Sequence, residues 1–423
     1  MSNVIEVLQA RGFINAISSE DVKELVNKPT KIYVGFDPTA DSLHLGNLVP
    51  IIGMMWFQKF GHTPVAVVGG ATGMIGDPSG KSQERNLLTQ ESVNQNLKGI
   101  SANLESLLDF KAPNNAALIV NNADWMNKFT VLDFLRDIGK HFRMGPMLSK
   151  ESVKNRLESD EGMSFTEFSY QILQSYDFLH LYDHNQVTIQ MGGSDQWGNI
   201  TAGVEFVRKM RGSQVFAITF PLLTRSDGKK FGKSEEGAIW LSPEKLSPYS
   251  FYQYFIRMPD ADVIPLMRML TFLPLEEINE IEKQMHSKDY VANDAQRRLA
   301  KEMTLIVHGQ EALDKALKVT EGAAPGSKTI LDAQTLETIA NLMPNCLLEK
   351  SEVVDCSLVE LLIKTGFASS KGESRRLIAG GGIYINNEKE SREDRVIVAQ
   401  DIIEGRFLLL GLGKKNKKLI RFN

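Results

Sequence analysis

Tyr33-Val34-Gly35-Phe36-Asp37-Pro38-Thr39-Ala40-Asp41-Ser42-Leu43-His44-Leu45-Gly46-Asn47 is the stretch on which the fold turns. Lys31 to Phe36 is an apolar, strand-like run that ends in a Pro/Asp/Ser turn, and His44 to Asn47 then opens a helical run from Leu48 to Phe60. A strand feeding a helix through such a turn aims backbone N–H groups at whatever binds there, which suits an anion. Gly46 lets a ligand approach the backbone closely, and the His44 imidazole can donate to a phosphate oxygen. Four residues alone are a weak signal, so a second loop has to support them. Lys229-Lys230-Phe231-Gly232-Lys233-Ser234 does so, following the apolar run from Val215 to Leu223 and the turn Ser226-Asp227-Gly228. Lysines around a glycine can close ammonium groups over a polyphosphate. Taken by itself, this loop reads equally well as a solvated surface turn.

Outward from these loops, residues 1 to about 225 alternate strand-like and helical patterns. Candidate strands are Lys31–Phe36, Pro64–Gly69, Ala117–Asn121, Val187–Gln190 and Val215–Thr219. The alternation predicts an α/β fold, a Rossmann-like, doubly wound parallel sheet with helices on both faces. Ligands then sit at the carboxyl ends of the strands. Two other nucleotide motifs are excluded. Both Gly-Lys-Ser triplets, at 80–82 and 232–234, lack the glycine that a P-loop needs five residues earlier, where Ile75 and Asp227 stand. No G-x-G-x-x-G occurs. Residues of about 240–320 read helical, punctuated by Pro248, Pro259, Pro265 and Pro274, and Gly322 to Ser327 is the best linker.

Composition is that of an ordinary globular protein, 42% hydrophobic and 24% charged over 423 residues, long enough for two or three domains. The first residues lack a signal peptide's charged and apolar regions, and no run approaches the roughly 18 apolar residues of a membrane span. Cys346 and Cys356 are the two cysteines, expected to stay reduced in a cytosol. Metal-ligand spacing is absent, so no structural metal is expected. Charge is unevenly spread. Residues 356–423 hold 13 Lys and Arg against 8 Asp and Glu, and with the whole chain at −4 the first 355 residues carry −9. A basic end on an acidic body suggests that this end meets a polyanion.

His44-Leu45-Gly46-Asn47 and Lys230-Phe231-Gly232-Lys233-Ser234 together resemble the two signatures of class I aminoacyl-tRNA synthetases. Tyr33 to Thr39, Gly76-Asp77-Pro78-Ser79-Gly80-Lys81, Ser164 to Tyr170 and Gly192-Gly193-Ser194-Asp195-Gln196-Trp197-Gly198-Asn199 narrow the resemblance to the bacterial-type tyrosyl-tRNA synthetases, over essentially the whole chain. Ser370 to Ile378 and Gly382 to Asn386 resemble an S4 RNA-binding domain. The resemblance implies four parts. Residues 1–235 form the catalytic domain, with an inserted helical and dimerisation segment. Residues 236–322 are an all-helical anticodon-arm domain, 323–352 a linker region, and 353–423 a small α+β S4-like domain.

Tyr170, Gln174 and Asp177 are spaced i, i+4, i+7 and so share one helical face. The resemblance gives Tyr170 and Gln174, with Asp77, to the substrate α-ammonium, Asp177 and Tyr33 to the phenolic hydroxyl, and Gln196 to the carboxylate. A carboxylate can accept from a phenol and a tyrosine hydroxyl can both donate and accept, whereas phenylalanine would leave both unpaired. Gly193 and Asp195 follow a strand-like run where a ribose would rest, and Asp37, His44 and Asn47 complete the ATP side. Thr39 and His44 are expected to grip pyrophosphate from one side, Lys230 and Lys233 from the other, with Lys81 and Arg85 on a further loop. Asn47 departs from the family's usual histidine but keeps a donor NH₂, and Val34 leaves a ribose contact missing. Mg²⁺ is expected to ride in with ATP. Arg208 and Lys209 are candidate acceptor-arm contacts, and Lys371, Arg375, Arg376, Lys414 and Lys415 a candidate phosphate-binding surface. The resemblance implies a cytoplasmic, homodimeric tyrosine–tRNA ligase whose partners are L-tyrosine, ATP and tRNA(Tyr). The nearest alternative is a tryptophanyl enzyme, which Tyr33 and Asp177 disfavour. The alternative from another class is a non-catalytic RNA-binding protein with a synthetase-like body, and the intact Asp77, Asp177, Lys230 and Lys233 argue against it.

Overall fold

A computed structural model describes residues 3–79, 87–158, 162–224, 226, 228, 231–234, 237–322, 333–340, 343–413 and 416–422. They fall into two compact units, residues 1–242 with 264–284, and residues 243–263 with 285–423.

The first unit is built on a six-stranded sheet of β1 (Ala16–Ile17), β2 (Lys31–Phe36), β3 (Thr63–Val68), β4 (Leu118–Asn121), β5 (Val187–Gly193) and β6 (Phe216–Phe220), in the order β1-β6-β5-β2-β3-β4. The pairs β2–β3, β3–β4, β2–β5 and β5–β6 are parallel, and the two-residue edge strand β1 is antiparallel to β6. β2 leads to β3 on one side and lies beside β5 on the other. The order therefore reverses between β2 and β5, and such a switch point opens a crevice at the carboxyl ends of the strands. Strands buried on both faces read as continuous apolar runs, as Ile32, Tyr33, Val34 and Val65 to Val68 do. Tyr33, Val65 and Val67 share a core with Phe178 and Phe206 from the helices Phe165–Asn185 and Trp197–Arg211.

Three local features fix helix ends in this unit. His44 is the N-cap of the helix Leu45–Lys59: its Nδ1 accepts from the Gly46 N–H at 3.0 Å while Asn47 Oδ1 accepts from the His44 N–H at 3.1 Å. Ser164 caps the helix Phe165–Asn185 by accepting from Glu167 N–H, and Gln186 ends it in the left-handed region at φ 60°. Arg11, buried in this unit, donates to the carbonyls of Met267, Arg268, Thr271 and Leu273 and lies over the Trp56 ring. It thereby caps the carboxyl end of the helix Asp260–Leu270.

In the second unit, residues 345–422 carry a five-stranded sheet of β9 (Asn345–Leu348), β10 (Ile383–Ile385), β11 (Glu388–Glu390), β12 (Phe407–Leu412) and β13 (Asn416–Phe422), ordered β11-β10-β12-β13-β9. β9 pairs in parallel with β13 and comes from the stretch read as a linker region. The sheet packs on the helices Leu358–Lys364 and Lys371–Ala379 through Leu358, Leu361, Leu362, Ile378, Leu408 and Leu410. Elsewhere in this unit the helix Asp294–Gly322 breaks at Gly309, where φ is 79°. No described helix is long and apolar enough to cross a membrane.

Candidate active site

The crevice at the ends of β2 and β5 is lined from both sides. Asp37, just past β2, accepts from the Tyr170 hydroxyl at 2.8 Å and from Thr72 Oγ1 at 2.7 Å. A Cβ at Gly69 would lie 2.2 Å from Asp37 Oδ1, so that carboxylate needs a glycine beside it. Asn122 donates to both Thr72 Oγ1, at 2.9 Å, and Asp177 Oδ2, at 3.0 Å, and the Trp125 indole N–H donates to Asp177 Oδ1 at 2.7 Å. Asp37, Thr72, Asn122, Trp125, Tyr170 and Asp177 thus make one hydrogen-bonded network.

Asp177 is 4% exposed, and desolvation lifts its pKa to about 7 against the pull of its two donors. Tyr33 is 1% exposed and packs edge-on against Phe178. Its hydroxyl has no hydrogen-bond partner among the described residues, and burial with the nearby Asp177 charge pushes its pKa up. A buried donor without a partner costs stability unless something completes it. This end therefore offers one unpartnered hydroxyl beside a carboxyl whose oxygens can each accept a further bond.

A second network closes the other side. Gln196 Nε2 donates to Asp77 Oδ2 at 2.5 Å, and Asn199 Nδ2 reaches Asp77 Oδ1 at 3.3 Å, Ser79 Oγ at 3.1 Å and Gln174 Oε1 at 3.2 Å. Gln174 in turn lies 3.4 Å from Gln196. Asp77, Gln174 and Gln196 therefore converge, and Tyr170 meets Asp37 on the neighbouring network. Asp195 lies beside Gly193, where a Cβ would come within 2.4 Å of its Oδ1.

The two loops singled out in the sequence meet. Gly232, at φ 83°, lies so close that a Cβ there would be 3.0 Å from the Gly46 N and 3.4 Å from Leu45 Cβ. Ile239 N–H donates to Gly232 O at 2.9 Å, Leu45 N–H to Ile239 O at 2.8 Å and Leu241 N–H to Leu43 O at 2.9 Å. The downstream loop is in this way stitched along residues 43–45. With Nδ1 accepting from Gly46, the ring proton of His44 sits on Nε2, the tautomer that donates to an anion. Thr39 is exposed after the turn, its N–H donating to Asp37 O at 2.9 Å. The Lys233 backbone lies in β7 (Lys233–Ser234), paired with β8 (Gly237–Ala238). Lys81, Arg85, Lys230, Lys414 and Lys415 lie outside the described residues.

Further out, Arg208 pairs with Glu205 at 2.8 Å, and Lys209 donates to His141 O at 3.2 Å. Arg375 and Arg376 are exposed on the helix Lys371–Ala379, while Lys371 pairs with Glu360 at 2.9 Å. Among the described residues no group of three or more His, Cys, Asp or Glu is placed to hold a metal ion.

Sequence reasoning missed Thr72, Asn122, Trp125 and Asn199. Each acts by holding another residue, and no local pattern marks such a role. The structure also gives Asn47 a task the sequence did not suggest: its side-chain oxygen caps the His44 N–H.

Residues 25–323 match the family tRNA synthetases class I (W and Y), and residues 335–420 match the Tyrosine--tRNA ligase SYY-like C-terminal domain. A tyrosine--tRNA ligase of Protochlamydia amoebophila is 59% identical over 421 residues, spanning 100% of this chain and 99% of the relative. A chloroplastic/mitochondrial tyrosine--tRNA ligase of Arabidopsis thaliana is 48% identical over 428 residues, 100% of this chain and 84% of the relative. Among solved structures, a C-terminally truncated mitochondrial tyrosyl-tRNA synthetase of Aspergillus nidulans superposes with a TM-score of 0.67 at 32% identity, covering 75% of this chain and 92% of that one. The tryptophanyl alternative is not favoured by relatives of this identity and length. On sequence and fold together, the chain belongs to the class I tRNA synthetases and, within them, to the tyrosyl-tRNA synthetases.

Proposed function

We propose that the crevice binds L-tyrosine with its phenol between Tyr33 and Asp177 and its ammonium toward Asp77, Tyr170 and Gln174. Gln196 turns the substrate carboxylate toward ATP. The observation that carries this reading is the buried, unpartnered Tyr33 hydroxyl near the buried Asp177. That end is shaped for a phenol and leaves polar groups unpaired with phenylalanine.

The enzyme is a tyrosine–tRNA ligase. In the first step a carboxylate oxygen of tyrosine attacks the α-phosphorus of ATP, and the bond to pyrophosphate breaks. In the second, a hydroxyl of the terminal tRNA ribose attacks the tyrosyl carbonyl and AMP leaves. No enzyme nucleophile is needed, so the protein's work is positioning and charge neutralisation. Asp37, Asn47, Gly193 and Asp195 are proposed to face the nucleoside. Thr39, His44, Lys81, Arg85, Lys230 and Lys233 are proposed to neutralise the departing pyrophosphate, with Mg²⁺ entering on ATP. The proposed setting is the cytoplasm.

The acceptor arm is proposed to pass Arg208 and Lys209, and the tRNA body to lie against Arg375, Arg376, Lys414 and Lys415. Exposed apolar side chains between 131 and 165 support a homodimer: Val131, Leu132, Met144 and Phe165 are 74, 78, 57 and 73% exposed. Leu132→Asp should shift sedimentation from dimer toward monomer.

The test of the chemistry is exchange of labelled pyrophosphate into ATP with tyrosine, phenylalanine or tryptophan and no tRNA. Exchange with tyrosine alone supports the pocket as read. Exchange with tryptophan keeps the mechanism and removes the substrate assignment.

A further inference from the structure

Asp177 owes its orientation to two donors, and one of them is itself held by stacking. Trp125, 6% exposed, donates its indole N–H to Asp177 Oδ1 at 2.7 Å. It lies on the short helix Ala123–Met126. The indole stacks on the His180 imidazole, with centroids 4.3 Å apart and planes 16° apart. His180 stacks in turn on His184, at 4.1 Å and 20°. His180 and His184 follow Asp177 by three and seven residues on one helix, so all three share a face. Nδ1 of His184 lies 2.9 Å from the His180 carbonyl, which fixes the outermost ring. Burial pushes the His180 pKa down to about 4, so at neutral pH an uncharged ring meets the indole.

These rings form a column running outward from Asp177. We propose that His180, backed by His184, is a positioning residue for substrate selection: its stacked ring fixes the plane of Trp125 so that the indole N–H stays on Asp177 and the carboxyl stays turned to the phenol. The inference rests on Asp177 being the phenol's partner. Offset-stacked rings have a defined mutual orientation, which an aliphatic neighbour would not impose. Without the stack the indole can turn, and Asp177 loses a donor while remaining buried.

The test is the ratio of kcat/KM for tyrosine over phenylalanine in pyrophosphate exchange, with KM for ATP as a check that the fold is intact. His180→Ala should lower the ratio roughly tenfold, the scale of one lost hydrogen bond to a charged group, through KM for tyrosine. His180→Phe keeps a flat ring and should hold the ratio within about twofold. His184→Ala leaves Trp125 and His180 in contact and should lower the ratio less than His180→Ala, and it carries the test if His180→Ala fails to fold. Asp177→Asn is measured alongside. If Asp177→Asn collapses the ratio while His180→Ala leaves it unchanged, the positioning role is overturned and the phenol assignment survives. If His180→Phe falls as far as His180→Ala, stacking is not the cause and the proposal fails. If Asp177→Asn itself has no effect, the phenol assignment fails and the proposal goes with it.

Discussion

Around Asp177, the proposed amino-acid site is made of buried side chains that other side chains hold. Around Gly46 and Gly232, the proposed phosphate site is made of backbone that other backbone holds. The first region places Asp37, Thr72, Asn122, Trp125, Tyr170 and Asp177 in one hydrogen-bonded network. The second brings Gly232 against the Gly46 N–H and ties residues 232–241 to residues 43–45 through main-chain bonds. The contrast follows from what each reads. A phenol differs from a phenyl ring by one hydroxyl, so a rigid, desolvated partner is needed to detect it. A polyphosphate presents many equivalent oxygens, and close backbone N–H groups with mobile cations suffice. On this reading the pocket should select without nucleotide, while the loop junction should act only when ATP is present.

That division can be broken from either side. Gly232→Val should have the largest effect: a branched side chain at φ 83°, with Gly46 N within 3.0 Å of its Cβ, must push the loops apart. Adenylate formation should fall about 10²–10³-fold or more, the scale of losing preorganised charge stabilisation. Tyrosine binding by equilibrium dialysis should be unchanged. Lys233→Ala should act in the same direction by about 10²–10³ in rate, and weakened tyrosine binding with normal activation would sink its assignment.

Asp177→Asn strikes the other region. Replacing an acceptor-only oxygen by an NH₂ sets a donor against Asn122, Trp125 or the phenol, and should cost tyrosine about 10- to 100-fold in kcat/KM, leaving KM for ATP near normal. Asn122→Ala removes donors to both Asp177 and Thr72. Its expected loss is smaller, about 1–2 kcal/mol in tyrosine affinity by calorimetry.

The smallest effect is on pH. Asp177 has its pKa raised to about 7 by burial, so in the empty pocket it is half protonated near neutrality. The phenol donates to the ionised form, so tyrosine affinity should fall roughly fivefold between pH 7 and pH 6. Stability of the empty protein has the opposite sign. A carboxyl whose native pKa exceeds its unfolded one stabilises the empty protein in acid and loses that contribution as pH rises through about 7. The rise in Tm that tyrosine produces should accordingly be larger at pH 8 than at pH 6.

Much of this was legible in sequence where a local pattern carries it. Lys31–Phe36 is the strand the apolar run predicted, and the i, i+4, i+7 spacing did bring Tyr170, Gln174 and Asp177 to the crevice side of one helix. β5 extends through Gly192 and Gly193, beyond the expected Gln190, because glycines weaken a strand signal without preventing pairing where backbone must approach closely. The edge strand Ala16–Ile17 is too short to show alternation. Asn122 and Trp125 sit more than 50 residues before Asp177, on a different element, and only the parallel packing of β4 on β3 brings them to it. Asn47 shows a role that residue type alone does not reveal. Its NH₂ reads as a donor to a ribose, and its oxygen is in addition engaged at the helix start, a role fixed by the His44 cap geometry.

The amino-acid pocket, on this reading, selects before nucleotide arrives. The direct measurement is equilibrium binding of tyrosine and phenylalanine to the full chain with no ATP or Mg²⁺. Tyrosine should bind and phenylalanine should bind at least about tenfold more weakly, the deficit of an unpaired Tyr33 hydroxyl and of the bond to Asp177 that phenylalanine cannot make. Equal affinities that separate only when ATP is added would contradict it, because discrimination would then arise from closure of the loops rather than from Tyr33 and Asp177.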